Sequence, residues 1–233
     1  LVLRRQRQMC IRDSLMYFKI KIIVVLFLIL TTQTSPIFGS LKLNAQSKES
    51  IILAGGCFWC VEADFEKVNG VSEVISGYTG GFVKNPTYKQ VVKGGTGHYE
   101  AVIIHFDPGV VSTKDILNMF FRSIDPTDAG GQFCDRGDSY KSAIFAKPSQ
   151  TLTAERALIE AEAALGKKIV TPILKISEFF VAEDYHQDYY KGENLLLTRF
   201  GPIQQKNAYK RYRKACGRDE RLIELWGKEA FLN

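Results

Sequence analysis

Ile51-Ile52-Leu53-Ala54-Gly55-Gly56-Cys57-Phe58-Trp59-Cys60 decides how this chain is read. The apolar run Ile51–Ala54 has the length of a buried strand, the paired glycines make a turn, and helical spacing follows from Phe58 to Val68. Strand, glycine turn and helix in that order place Cys57 at a helix N-terminus. Unpaired N–H groups and the helix dipole favour an anion there. The Cys57 thiol is therefore expected to ionise below its ordinary range and to act as a nucleophile. Phe58 and Trp59 would make a small apolar pocket beside the sulfur. Cys60 completes a C-x-x-C, a spacing that suits a redox pair and also a buried structural pair.

Working outward, Val71–Tyr78 reads as a second strand. A glycine-rich loop over 79–98 holds a short helix, Thr87 to Val92. Tyr99–Phe106 is a clear strand, and Ser112 to Ile124 a helix with Ser112 or Thr113 as cap and Asp115 in its first turn. A loop rich in Gly and Asp covers 125–139. Ala143–Ala146 is a strand, Ser149–Leu165 a helix capped by Ser149 and ended by Gly166, and Leu174–Val181 a last strand. From Asp184 onward the chain is polar and aromatic with weak periodicity. This irregular alternation predicts an α+β fold, a small mixed sheet with helices on one face. Function is expected in the two long loops.

Period two along Tyr99–Phe106 puts Glu100 on the face of Val102, Ile104 and Phe106. A carboxyl on an apolar face is costly to ionise, so it stays protonated to higher pH, as a general acid must. A solvated position at the start of the strand is the alternative. Tyr78, Tyr88, Tyr99 and Tyr140 lie in or beside the loops, where phenols can donate hydrogen bonds without charge. His98, His105 and His186 have no metal-ligand spacing, no zinc pattern is present, and the absence of His after Cys60 argues against covalent haem.

The chain has 233 residues, a formal charge of +6 and five cysteines. Residues 1–45 carry seven of the 31 basic side chains and one of the 25 acids, so residues 46–233 are formally neutral. No basic face argues for nucleic acid. The cluster Lys206, Lys210, Arg211, Arg213 and Lys214 reads as solvated surface. Residues 1–15 are basic and patternless and read as a non-native leader. Residues 16–45 have the basic, apolar and polar order of a secretory signal peptide. Its apolar run, Ile22 to Leu30, is shorter than the roughly 20 residues a bilayer needs. Export, to the periplasm, is expected, with an uncleaved leader as the one route to a membrane. Residues 46–233 read as a single catalytic domain, expected to be a monomer.

Five segments stand in order: Gly-Cys-Phe-Trp at 56–59, Gly-Tyr-Thr-Gly-Gly at 77–81, Asn-Pro-Thr-Tyr at 85–88, Thr-Gly-His-Tyr-Glu-Ala-Val at 96–102 and Ala-Glu-Asp-Tyr-His-Gln at 182–187. On these segments the chain resembles the peptide methionine sulfoxide reductase A family from about residue 50 to about 190. The resemblance implies a ferredoxin-like α+β sandwich and reduction of the S epimer of methionine sulfoxide, free or in proteins, as a repair of oxidative damage. It implies Cys57 as nucleophile, Glu100 as the acid that protonates the sulfoxide oxygen, and Tyr88, Tyr140 and Asp135 around that oxygen. Phe58 and Trp59 match the pocket for the methyl group. A sulfenic acid on Cys57 would condense with a second thiol to a disulfide, and an external thiol, a thioredoxin-like protein or dithiothreitol, would reset it. No bound cofactor and no metal are implied. Many family members carry a glycine-rich C-terminal tail with cysteines; here Cys216 stands in Ala-Cys-Gly-Arg-Asp, without that context. Cys60 is therefore the first choice of resolving cysteine, then Cys216, then Cys134.

Two other readings compete. A thioredoxin-like disulfide oxidoreductase would use Cys57 and Cys60 but leave Glu100 and the tyrosine loops without a task. An exported binding module with a structural disulfide would lack a reactive thiol.

Overall fold

The strand expected at Ile51–Ala54 becomes β1 (Glu49–Gly55), near the middle of a six-stranded sheet. The computed structural model describes residues 48–232; the leaders read at 1–15 and 16–45 lie outside the described residues. After β1 come α1 (Phe58–Phe65), β2 (Val71–Thr79), α2 (Tyr88–Lys93), β3 (Tyr99–Phe106) and α3 (Thr113–Arg122). A two-residue pair, β4 (Gly131–Gln132) and β5 (Asp135–Arg136), folds the long loop on itself before β6 (Ser142–Ala146) and α4 (Thr151–Leu165). β1, α1, β2, β3, α3 and β6 form a β-α-β-β-α-β unit with strand order β6-β1-β3-β2, every neighbour antiparallel. This is the ferredoxin-like arrangement.

Two further strands extend the sheet. β7 (Ile173–Lys175) joins parallel to β6, and β8 (Phe179–Val181) joins antiparallel to β2 at the far edge. The single strand expected over Leu174–Val181 is thus two strands at opposite edges. Residues 176–178 connect them and reach about 14 Å at most. A flat six-stranded sheet is about 24 Å wide, so the sheet must curl until its edges approach. Ser177 sits at that closure: its Oγ lies 2.9 Å from Thr79 Oγ1 and accepts the Gly80 N–H at 3.1 Å.

The curl explains the composition of the two faces. The outer face is covered by Phe58, Val61 and Phe65 of α1, Ile116, Leu117, Phe120 and Phe121 of α3, and the small stripe Ala154, Ala157 and Ala161 of α4. The inner face carries Ala54, Ala101 and Ala143, small enough for the concave side, and is filled by Phe145, Ile176 and Phe179. α3 starts as expected, with a capping box between Ser112 and Asp115. α4 starts two residues after its expected cap, because the Gln150 side chain is engaged by the backbone of Ser50 and Lys147.

The C-terminal region holds more structure than its weak periodicity suggested. Single helical turns at Asp184–His186 and Tyr189–Lys191 lead to a hairpin, β9 (Leu195–Thr198) and β10 (Gly201–Gln204), then α5 (Gln205–Ala215) and α6 (Arg218–Trp226). The inward stripe of α5 is Gln205, Ala208, Tyr209 and Arg213, mostly polar, so hydrophobic spacing does not reveal it. The basic cluster on α5 is accordingly not all solvated surface. Arg213 is buried and donates to Asp64 at 2.8 Å and Asp219 at 2.9 Å.

Candidate active site

The turn after β1 is fixed by packing. Gly56 has φ +82, and a Cβ there would lie 2.5 Å from Cβ of Gln132. Buried Gln132 clamps the base of the long loop, accepting the Asp125 N–H and donating to the Asp125 carbonyl, both at 2.8 Å. The turn and the loop are therefore packed as one piece. Cys57 is the residue preceding α1, and its carbonyl accepts the N–H of Cys60.

Glu100 lies on the buried face of β3 with Val102, Ile104 and Phe106, as period two requires. Its Oε2 accepts the Phe58 N–H, the first amide of α1, at 3.2 Å. Burial pushes its carboxyl up to about 8; the bonds from Phe58 and Tyr140 pull it down but do not compensate. Glu100 is therefore protonated at neutral pH.

The expected lowering of Cys57 is not found. The first amide of α1 is taken by Glu100. The hydrogen bond between the two thiols, then burial, then the charges of Cys60, Glu100 and Asp135 all push Cys57 up. The thiol that is lowered is Cys60, to about 7, first by its bond with Cys57 and then by Arg218 and Arg213, against burial. The two sulfurs act as a pair, and the first negative charge rests on the side of the arginines.

Around the pair lies a cavity of about 370 Å³. It is lined by Cys57, Phe58, Trp59, Cys60, Tyr88, Glu100, Asp135 and Tyr140, so every residue singled out in the sequence for the sulfur and the oxygen faces one space. Cys134 and Cys216 line it as well. Burial holds the Tyr88 and Tyr140 phenols well above their ordinary range, so both are neutral donors. Burial also raises Asp135, with Arg218 pulling the other way. α2 brings Tyr88 to the site through Glu183, whose carboxylate accepts the Tyr88 N–H at 2.9 Å and the Tyr78 hydroxyl at 2.8 Å.

Several wall residues were not marked by the sequence reading. Tyr189 stacks on Trp59 at 3.7 Å, nearly parallel. His186 is not part of the lining but packs against it, among Phe58, Trp59, Tyr88 and Tyr185, and burial pushes its imidazole down to about 4, so it is neutral. His98 is structural: Nδ1 accepts the Gly81 N–H at 3.2 Å, so Nε2 carries the proton and donates to the Val83 carbonyl at 2.7 Å. Arg199, Tyr209, Tyr212 and Arg213, supplied by the hairpin and α5, complete the lining; Arg199 is exposed, and Tyr209 and Arg213 are buried. The segment Tyr-His-Gln-Asp-Tyr at 185–189 was the available signal for His186 and Tyr189. Nothing in the sequence pointed to the part of the lining that the hairpin and α5 supply.

Cys134 and Cys216 are joined in a disulfide across a separation of 82 residues, and Cys57 and Cys60 are free thiols. Asp135 lies beside the bond, with carboxyl oxygens 3.8 Å from Cys134 Sγ and 4.0 Å from Cys216 Sγ. These three residues have metal-donor spacing, but sulfurs bound to each other are not thiolate ligands. A second carboxylate group, Glu62, Glu66 and Asp188, already holds the Lys191 ammonium at 2.8 Å from two of its members.

The family model described as peptide methionine sulfoxide reductase matches residues 49–221. The chain is 46% identical over 195 residues to the peptide methionine sulfoxide reductase MsrA 2 of Rhizobium meliloti (strain 1021), covering 83% of this chain and 91% of that one. It is 50% identical over 165 residues to MsrA of Ligilactobacillus salivarius (strain UCC118), covering 68% and 95%. Among solved structures it is similar to methionine sulfoxide reductase A of Corynebacterium diphtheriae, with TM-score 0.57, 28% identity and coverage of 75% and 91%. Reduced Mxr1 from Saccharomyces cerevisiae gives TM-score 0.59 at 31% identity, covering 62% and 84%.

Proposed function

The chain belongs to the peptide methionine sulfoxide reductase A family, and from that premise we propose how its pocket reduces methionine sulfoxide. It is a peptide-methionine (S)-S-oxide reductase, an enzyme of methionine repair after oxidation. The observation that carries the mechanism is the placement of a protonated carboxyl, Glu100, on the helix end beside Cys57 in the cavity lined by Tyr88 and Tyr140.

A sulfoxide is uncharged, and its oxygen is a strong acceptor. Desolvating it is costly unless donors meet it. Tyr88 and Tyr140 supply neutral O–H groups, and Glu100 supplies a proton that makes the oxygen a better electron sink as the sulfur is attacked. Phe58 and Trp59 shape the apolar side for the methyl group. The proton of Cys57 passes to its partner Cys60, the more easily ionised of the two, as Cys57 Sγ attacks the sulfoxide sulfur. In the resulting adduct the oxygen, now carrying the Glu100 proton, transfers to Cys57 as the sulfur–sulfur bond and the substrate S–O bond both break, leaving Cys57 as a sulfenic acid and the substrate as the thioether. Cys60 then attacks the sulfenic sulfur, releasing water and forming a Cys57–Cys60 disulfide. An external dithiol, supplied by dithiothreitol or a thioredoxin-like protein, exchanges with that disulfide and restores both thiols. Cys60 is preferred as resolving residue because it is a free thiol hydrogen-bonded to Cys57, whereas Cys134 and Cys216 already hold each other.

The test is turnover of residues 46–233 on a methionine sulfoxide peptide resolved into its epimers, with dithiothreitol. Loss of the S epimer alone, abolished by Cys57→Ser, supports the mechanism. Insulin-disulfide reduction without sulfoxide turnover would overturn it in favour of a disulfide oxidoreductase. Export through the segment at 16–45 is also proposed. The Cys134–Cys216 bond supports it, because disulfides persist in oxidising compartments; recovery of the protein in the cytosolic fraction would refute it.

A further inference from the structure

We propose that Arg199 makes the pocket prefer a carboxylate beside the sulfoxide: the acidic side chain of a residue flanking methionine sulfoxide in a peptide, or the α-carboxylate of the methionine sulfoxide itself. The proposal rests on the reductase reading above and names a substrate class for that same site.

Arg199 lies at the reversal of the β9–β10 hairpin, where Thr198 pairs with Gly201. The turn is built to hold its shape. Thr198 Oγ1 accepts the Phe200 N–H at 3.0 Å and donates to the Gly201 carbonyl at 3.1 Å, and Gly201 takes φ +86. The guanidinium is gripped by two rings, Phe200 at 4.9 Å and Tyr212 of α5 at 5.0 Å. Such cation–π contacts fix the plane of the group and leave its N–H edge free for an anion.

The charge of Arg199 is unspent. Among the described residues, Arg122, Arg136, Arg213, Arg218 and Arg221 are ion-paired; Arg156, Arg199 and Arg211 are not, and of these three Arg199 is the one that lines the cavity. It lines the same cavity as Cys57 and Glu100. The other guanidinium in that lining, Arg213, is committed to Asp64 and Asp219. The cavity therefore has a carboxyl end, Glu100 and Asp135, and a cationic rim, Arg199. A substrate whose neighbouring group is negative is attracted to the rim, while the protonated Glu100 end takes the uncharged sulfoxide. That orients the bound chain with its sulfoxide inward and its carboxylate outward. A planar fork of donors suits a carboxylate in two-point contact.

The experiment measures kcat/KM with dithiothreitol for capped peptides that differ only beside the methionine sulfoxide, Glu against Gln against Lys. A second pair ends in methionine sulfoxide as free acid or amide. Ratios are taken within one enzyme preparation, so any loss of folded protein cancels. The wild type is expected to favour the carboxylate member by about tenfold at low salt. Arg199→Gln should bring the ratio close to one, and Arg199→Lys should keep part of it. The responding pair identifies which carboxylate is read. Unchanged ratios in Arg199→Gln overturn the proposal. So does a defect seen only with a protein dithiol and not with dithiothreitol, which would make Arg199 a docking residue for the reductant. No turnover of any S-epimer peptide by the wild type refutes the reductase reading instead.

Discussion

The Phe58 N–H donates to Glu100 Oε2 at 3.2 Å, so the free end of α1 holds a carboxyl and not the thiolate beside it. The helix end thereby positions the acid, and the nucleophile must find its base elsewhere. This predicts that Glu100→Gln lowers kcat/KM by about 10²–10⁴, the usual worth of a positioned acid. The wild-type rate should fall as pH rises through about 8, where Glu100 loses its proton, and this limb should vanish in the variant. Stability should follow the same group. Below its ordinary value of 4.5 the carboxyl is protonated folded and unfolded; between there and about 8 only the folded state keeps the proton. Over that window wild type loses about 1.4 kcal/mol per pH unit relative to the variant. Urea titrations of both proteins across pH 4–9 check the slope.

The Cys57–Cys60 pair should show one thiol ionisation near pH 7, assigned to Cys60. Thiolate absorbance near 240 nm would follow it. Cys60→Ser should remove that step, and Cys57 should then alkylate more slowly at neutral pH for want of its base. The variant should also release about one thioether per enzyme and then stall with a protein dithiol, because no partner thiol resolves the sulfenic acid. Repeated turnover at the wild-type rate in Cys60→Ser would sink this role.

The parts of the site that were legible in the sequence lie on regular elements or within the ordered segments. Alternation put Glu100 on an apolar face but left a solvated strand start open, and the family resemblance supplied its role; Cys57 was marked by the order of strand, two glycines and helix. Long-range pairings were not legible. Nothing local joins Cys134 to Cys216, or Arg213 of α5 to Asp64 of α1. Leu174–Val181 misled because one apolar run serves both edges of a curled sheet, and alternation does not record which neighbour a strand takes. The lowering expected at Cys57 failed for a related reason: the sequence showed a helix end but not the hydrogen bond to Cys60 and the burial that raise the thiol.

Arg213 and Asp64 form a buried ion pair, 5% and 0% exposed at the side chain. Burial alone raises Asp64, and the two arginines pull it back. Arg213→Met takes away the closer of the two cations beside that carboxylate, leaving Arg218 at 3.9 Å, with a destabilisation of about 3 kcal/mol in urea unfolding. The double variant Arg213→Met with Asp64→Leu should recover part of it, because the close pair is gone while Arg218 stays buried. It should not recover the low Cys60 ionisation, since Arg213 is one of the cations that lower it. Equal stability of Arg213→Met and wild type would show that the pair contributes nothing.

The Cys134–Cys216 bond ties the loop carrying Asp135 and Tyr140 to the junction between α5 and α6. Closing a loop of this separation removes much of the freedom of the unfolded chain, a gain of about 2–4 kcal/mol. Cys134→Ser with Cys216→Ser should lose that amount when both proteins are unfolded in urea without reductant. The difference should disappear when dithiothreitol opens the wild-type bond. If Cys60 alone resolves Cys57, the double variant should still form the Cys57–Cys60 disulfide after one turnover, detectable by mass as a loss of two hydrogens. If its sulfenic acid persists, one of the two distal sulfurs takes part in the chemistry. The bond would then belong to the catalytic cycle and not to the scaffold alone.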